Sequence, residues 1–139
     1  MVSKTPKKVL EKLHRLLGRS YSPYSGFAVA AVVKSGSGRL YGGVNVENAA
    51  YPLSRCAEQS AVLQMVSAGE REVIEVWVLS RGKQPATPCG GCRQVLSEFA
   101  HPEVPVHCLS SEGLELHTTL GELLPHAFNK LYLNKPQQA

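Results

Sequence analysis

The sequence predicts an α/β fold, a three-layer α/β/α sandwich around a five-stranded mixed sheet, formed by a single domain over residues 1–139. Three observations predict it. Val9, Leu10, Leu13, Leu16 and Leu17 recur at helical spacing among charged residues, which marks an amphipathic helix. Residues 27–33 form a continuous apolar run that SGSG, at 35–38, joins to RLYGGVNV, so a β-hairpin opens the sheet with its first strand buried on both faces. From Cys56 to Ser110 helical and strand patterns then alternate, which implies a mostly parallel section of sheet with helices covering it.

Taken in order, Thr5-Pro6 supplies an N-cap and a proline at the first helical position, and Gly18 stops the first helix. YSPYSG, at 21–26, is turn-rich and precedes the apolar run. A second helix runs from about Cys56 to Ala68, with Ala61, Val62, Met65 and Val66 on one side and Gly69 as its stop. VIEVWVLS, at 73–80, is a strand by its β-branched and aromatic content. The third helix starts near Cys89, presents Val95, Leu96, Phe99 and Ala100 as its apolar stripe, and ends before Pro102. VPVHCLS, at 104–110, is the fourth strand and LELHT, at 114–118, a short fifth, after which LGELLP forms a helical turn closed by Pro125.

A chain of 139 residues buries a core without disulfide support, so its four cysteines need not be staples. No apolar run approaches the ~20 residues of a membrane span. The leucines of MVSKTPKKVLEKLHRLLG are broken by charges, unlike a signal peptide, so the expectation is a cytoplasmic protein with reduced thiols. The net charge of +4 raises the question of nucleic acid. Six basic residues face only Glu11 between positions 4 and 19, leaving 9 basic and 10 acidic residues from position 20 onward. No aromatic residues interleave that basic segment to stack on bases, so a solvated helix face explains it better than nucleic-acid binding.

The chemistry concentrates in PCGGC, at 88–92, and CAE, at 56–58. Alone, a C-x-x-C pair fits a redox couple, a structural knuckle or a catalytic metal. Cys89 and Cys92 fall on one side of a helical turn, and Cys56 opens the other helix, so two helix starts can converge with three thiolates. Three protein ligands leave zinc a fourth position for water, which distinguishes a catalytic site from a closed one. Glu58, beside the metal but not on it, can take and return the proton of that water. Cys108 sits in the alternation of a buried strand and is read as a core residue, not as a fourth ligand. The five histidines are scattered and are read as surface or satisfied core residues.

The ordered set YSPYSGF, GVNVENAAYPL, CAE, PCGGCRQ and ELLPHAF resembles the cytidine deaminases of the small, homotetrameric type over nearly the whole chain. The resemblance implies hydrolysis of cytidine and deoxycytidine to uridine and deoxyuridine, with one zinc per subunit held by Cys56, Cys89 and Cys92 and protons moved by Glu58. It also implies a nucleoside pocket that includes Phe27, Asn45, Glu47 and Ala57, with Tyr51 and Phe128 reaching toward a neighbouring subunit's site. Asn45 and Glu47 alternate along an apparent strand, so both point to one face, and together they suit the two hydroxyls of a ribose. The alternatives are a related cytosine-bearing substrate (nucleotide, polynucleotide or nucleoside antibiotic) and a structural zinc module that binds nucleic acid. Two positions depart from the family's usual pattern: Gln59, where relatives often carry arginine, and Ala30, where they often have glycine. Three thiolates with zinc carry a net charge of −1, so Arg55, Arg93 and the amide of Gln59 are the candidates to moderate them.

Overall fold

A computed structural model describes residues 4–133. The leucine stripe becomes α1 (Lys7–Leu17), with Val9, Leu13 and Leu17 buried. The helix begins one residue later than its Thr5-Pro6 signal implies: Pro6 itself is the extended N-cap, and its carbonyl accepts from Val9 N and Leu10 N, both at 3.0 Å. The apolar run forms β1 (Val29–Ser35), and the SGSG turn, with Gly38 at φ +89°, returns the chain as β2 (Leu40–Val44). The remaining elements are α2 (Ala57–Ser67), β3 (Val73–Ser80), α3 (Gly90–Phe99), β4 (Pro105–Ser110), β5 (Glu115–Thr119) and the short α4 (Leu120–Leu123). Turns of 3-10 helix cover Tyr51–Leu53 and Lys130–Tyr132.

The five strands form one mixed sheet in the order β2-β1-β3-β4-β5. Its parallel section is smaller than strand-helix alternation implies, because only β3 and β4 pair in parallel. The chain leaves β2, crosses in α2 and returns on the far side of β1, so β3 runs with β2 but hydrogen-bonds antiparallel to the β1 strand between them. β1 is buried on both faces, as its run of VAAVV requires. Ala30 and Val32 pack with Trp77, Leu79 and Leu109 beneath α1, while Ala31 and Val33 pack with Val76, Val78, Val106 and Cys108 beneath α2 and α3. The three predicted layers are present, and both cores share the same strands.

One close approach sets the height of α2 above the sheet. At Gly43 an added Cβ would lie 2.7 Å from the Ala57 carbonyl oxygen and 2.7 Å from Ser60 Cβ, with Ala61 N closer still. Ser60 Oγ completes the seam by donating to Val44 O at 2.9 Å. The start of α2 is therefore pinned to β2 at backbone distance, and the residues that open that helix inherit its position.

Candidate metal and active site

Cys56 and Cys89 are the extended N-cap residues of α2 and α3, and Cys92 lies one turn into α3. Each cap keeps its carbonyl for its own helix: Cys56 O accepts from Ser60 N at 3.1 Å, and Cys89 O from Arg93 N at 3.0 Å. The two helix starts face one another. The Sγ atoms of Cys56 and Cys89 are 3.9 Å apart, those of Cys89 and Cys92 3.4 Å, and all three lie within 4.8 Å of one another. A tetrahedral ion with Zn–S bonds of ~2.3 Å needs S···S edges of about 3.8 Å, so this donor set fits zinc with little movement. Among the described residues no other group of three or more His, Cys, Asp or Glu converges in this way. Cys92 is buried, Cys56 half-buried and Cys89 exposed, so the triad opens on one side.

Hydrogen bonding within the triad divides its protons unequally. The bond from Cys92 stabilises the Cys56 thiolate, and the Cys89 thiol and the charge of Arg55 add to it, so Cys56 falls to about 6 against the cost of burial. The same bond, with burial, drives Cys92 up. A divalent ion replaces those protons when it binds. Glu58 is 5% exposed in the first turn of α2. Burial raises its carboxyl to about 7 and the neighbouring Cys56 charge adds to the rise, which places a proton carrier near neutrality beside the triad.

Cys108 is fully buried within the core under α2 and α3, where burial raises its thiol to about 12. It stands outside the converging sulfurs, as its strand alternation predicts. Ala57 is buried as the first residue of α2. The guanidinium of Arg93 is committed to acceptors around the loop: Nε donates to Pro88 O at 2.6 Å, one terminal nitrogen to Leu123 O at 2.7 Å, and the other to Thr87 Oγ1 at 3.0 Å. It thus braces the peptide before Cys89 against the end of α4. Arg55 donates to Pro52 O and Ser54 O, and the amide nitrogen of Gln59 lies 3.9 Å from where a Cβ on Gly91 would sit.

The polar residues proposed from sequence for the sugar lie just past the end of β2 and knit to the turn-rich segment before β1. Asn45 Oδ1 accepts from Ser20 Oγ and from Val29 N at 3.0 Å, and its Nδ2 donates to Phe27 O at 2.7 Å. Glu47 accepts from Tyr24 N, Ser25 N and Ser25 Oγ, bonds that hold its carboxyl below the usual range. Val46 bridges to Arg55, the residue before Cys56, which ties these segments to the triad. A cleft of about 360 Å³ is lined by Tyr24, Ser25, Glu47, Tyr51 and Ser54, with Tyr24 and Tyr51 edge to face at 5.8 Å. Tyr24, Ser25 and Ser54 are not singled out by the sequence, where YSPYSG reads as a turn within a family motif and has no assigned place in the pocket. Phe27 and Tyr51 are exposed, Tyr51 at 71%. Phe128 is 58% exposed beyond α4, stacked on Tyr132 at 5.2 Å, with its carbonyl bonded to Gln94 of α3. A larger cavity, about 520 Å³, lies between the end of α3 and residues 120–131 and contains none of these groups.

Residues 3–108 match the model of the cytidine and deoxycytidylate deaminase zinc-binding region. A cytidine deaminase from Sporosarcina psychrophila is 37% identical over 124 residues, covering 89% of this chain and 91% of its own. One from Halalkalibacterium halodurans is 38% identical over 115 residues, covering 83% and 87%. Among solved structures, the cytidine deaminase of Burkholderia pseudomallei superposes with a TM-score of 0.84 at 36% identity, over 89% of this chain and 99% of that one. The enzyme from Mycobacterium tuberculosis superposes at 0.73 with 33% identity, over 86% and 96%.

Proposed function

Because the chain belongs to the cytidine and deoxycytidylate deaminase family, we propose that it hydrolyses cytidine and deoxycytidine to uridine and deoxyuridine with release of ammonia. The observation that carries this is the triad of Cys56, Cys89 and Cys92 at two facing helix starts with the buried Glu58 beside it. Cys56, Cys89 and Cys92 would hold zinc, one ion per subunit, and when bound it would supply the Lewis acidity that makes water a nucleophile toward the ring carbon bearing the amine. Glu58 takes one proton of the water and gives it to the ring nitrogen as the hydroxyl adds to the carbon, then carries the remaining hydroxyl proton to the amine, which leaves as ammonia while the carbonyl forms. The burial that raises its carboxyl suits both duties. This is hydrolysis of a C–N bond in a cyclic amidine.

In this proposal residues 1–139 act as one catalytic domain in the cytoplasm. Among the described residues no helix is long and apolar enough to cross a membrane. Asn45 keeps one amide hydrogen and Glu47 an oxygen lone pair beyond their bonds to the segment 20–27, and these hold the ribose hydroxyls. Phe27 and the start of α2 at Ala57 flank the base. The exposed Tyr51 and Phe128 complete neighbouring sites in a homotetramer. Arg55, Gln59 and Arg93 steady the cysteine loops. A carboxylate at Glu47 repels phosphate, which favours free nucleosides over nucleotides and nucleic acid. A structural zinc module would need a fourth protein ligand, and Cys108 is packed in the core instead.

The test follows cytidine loss in the ultraviolet with zinc-loaded protein, alongside cytidine monophosphate and a short single strand. Glu58→Gln is expected to keep its zinc and to lose about 10²–10⁴-fold in turnover. Near wild-type uridine production by that variant would remove Glu58 from the mechanism.

A further inference from the structure

His107 of β4 and His117 of β5 are direct cross-strand partners, ten residues apart in sequence. They lie on the face of the sheet opposite the cysteine triad, beside Trp77, Leu79 and Leu109 and next to the area that α1 covers. Their Nδ1 atoms point at each other across 2.7 Å. The Nε2 atoms point outward to carboxylates, His107 to Glu75 of β3 at 2.7 Å and His117 to Glu115 of β5 at 2.9 Å. The His107 ring is further fixed by stacking on Trp77, with centroids 5.6 Å apart.

The proton count follows from these contacts. Ionised carboxylates only accept, so both Nε2 atoms carry hydrogen. Two bare Nδ1 lone pairs would repel at 2.7 Å, so a single proton lies between them. Two carboxylates flank the pair. Removing the shared proton leaves two convergent nitrogen donors, each ring oriented by a carboxylate on its far side. A metal-bound histidine almost always donates its other N–H to such a partner.

We propose that His107 and His117 form a second metal site, in which a divalent transition ion replaces the shared proton and is held by the two Nδ1 atoms, with water in its remaining positions. Zinc, nickel(II) and copper(II) all accept imidazole. Zn–N bonds of about 2.0–2.1 Å place tetrahedral nitrogens about 3.3 Å apart, so the rings need to open by about 0.6 Å. The side chains, 18% and 36% exposed, have room for that movement and for the water. The two carboxylates balance the charge of the ion. Because β5 is an edge strand, the ion would also clip that edge to β4. The scattered sequence positions of these histidines conceal the pair, since the strand register alone brings them together.

The experiment adds zinc to the full chain, already saturated at its cysteines, in weak buffer, and reads bound zinc by elemental analysis and released protons by pH-stat. Wild-type protein is expected to bind one further zinc per chain and to release about one proton with it, with the ring-nitrogen NMR signals of His107 and His117 shifting. His107→Gln and His117→Gln are each expected to lose that ion, whereas His126→Gln keeps it. Glu115→Gln retains both donors and is expected to bind about 10–100-fold more weakly. Circular dichroism of each variant establishes that it is folded. Equal zinc in wild type and both histidine variants, no additional zinc in any, or unchanged affinity in Glu115→Gln would overturn the assignment.

Discussion

Gly43→Ala tests whether the backbone seam between β2 and α2 sets the geometry of the cysteine and glutamate site. The new methyl would sit 2.7 Å from the Ala57 carbonyl oxygen and from Ser60 Cβ, about 0.7 Å inside the 3.4 Å at which ordinary contact begins. Its neighbours include the backbone of α2, which cannot rotate away as a side chain can. Either α2 lifts or the edge strand β2 shifts. Lifting α2 carries Cys56 and Glu58 with it, and shifting β2 carries Asn45 and Glu47. Overpacking of this kind costs about 1–3 kcal/mol. At roughly 4 °C per kcal/mol for a domain of this size, the melting temperature should fall by about 4–12 °C. A misplacement approaching 1 Å at reacting groups costs on the order of 10²-fold in rate, so turnover should fall further than stability alone explains. Calorimetry and the ultraviolet cytidine assay, both run well below the lowered melting temperature, read the two effects separately. Wild-type melting with wild-type turnover would refute the seam as the element that positions the site.

Cys108→Ala is expected to leave bound zinc unchanged and to cost about 1–2 kcal/mol in urea unfolding, because the thiol is core packing and not a ligand. In metal-stripped protein Cys56, lowered to about 6, is thiolate at neutral pH and protonated below it. Its alkylation rate, followed by mass spectrometry of the modified peptide, should climb through pH 6 and then level, while Cys92 reacts far more slowly; equal rates would contradict the division of protons within the triad. Arg93→Lys keeps the positive charge but cannot reach Pro88 O, Leu123 O and Thr87 Oγ1 together. It is expected to weaken zinc retention against a competing chelator by about tenfold, the lower end of the range for partners that orient metal ligands. Wild-type retention would mean that charge, and not the brace, is what matters.

The parts of this molecule that were legible in the sequence are those fixed by neighbours in the chain. VAAVV announces burial on both faces, and the i, i+3 spacing of Cys89 and Cys92 announces a shared side of one turn. Cys56 could be added because a helix start is a local signal too. What was not legible depends on register and on long-range contact. Nothing in SYSPYSG, at 20–26, says that Ser20 and Ser25 will bond Asn45 and Glu47, and nothing in PCGGCR says that the arginine will reach Leu123. The orientation of β3 depends on β1 lying between it and β2, which no single segment records. The family resemblance supplied the list of proposed pocket residues; the fold supplies the bonds that hold Asn45 and Glu47 in place.

The facing caps of α2 and α3 also make the chain a closed ring whenever an ion joins them. Cys56 and Cys89 are separated by 33 positions, a span that includes all of β3. A covalent bridge of that length lowers the freedom of the unfolded chain by an equivalent of about 3–4 kcal/mol. A metal bridge has a comparable effect for as long as it survives unfolding, and it responds to different reagents. Thiol reductants, which dissolve a disulfide, leave such a link intact, whereas a chelator opens it with every cysteine still reduced.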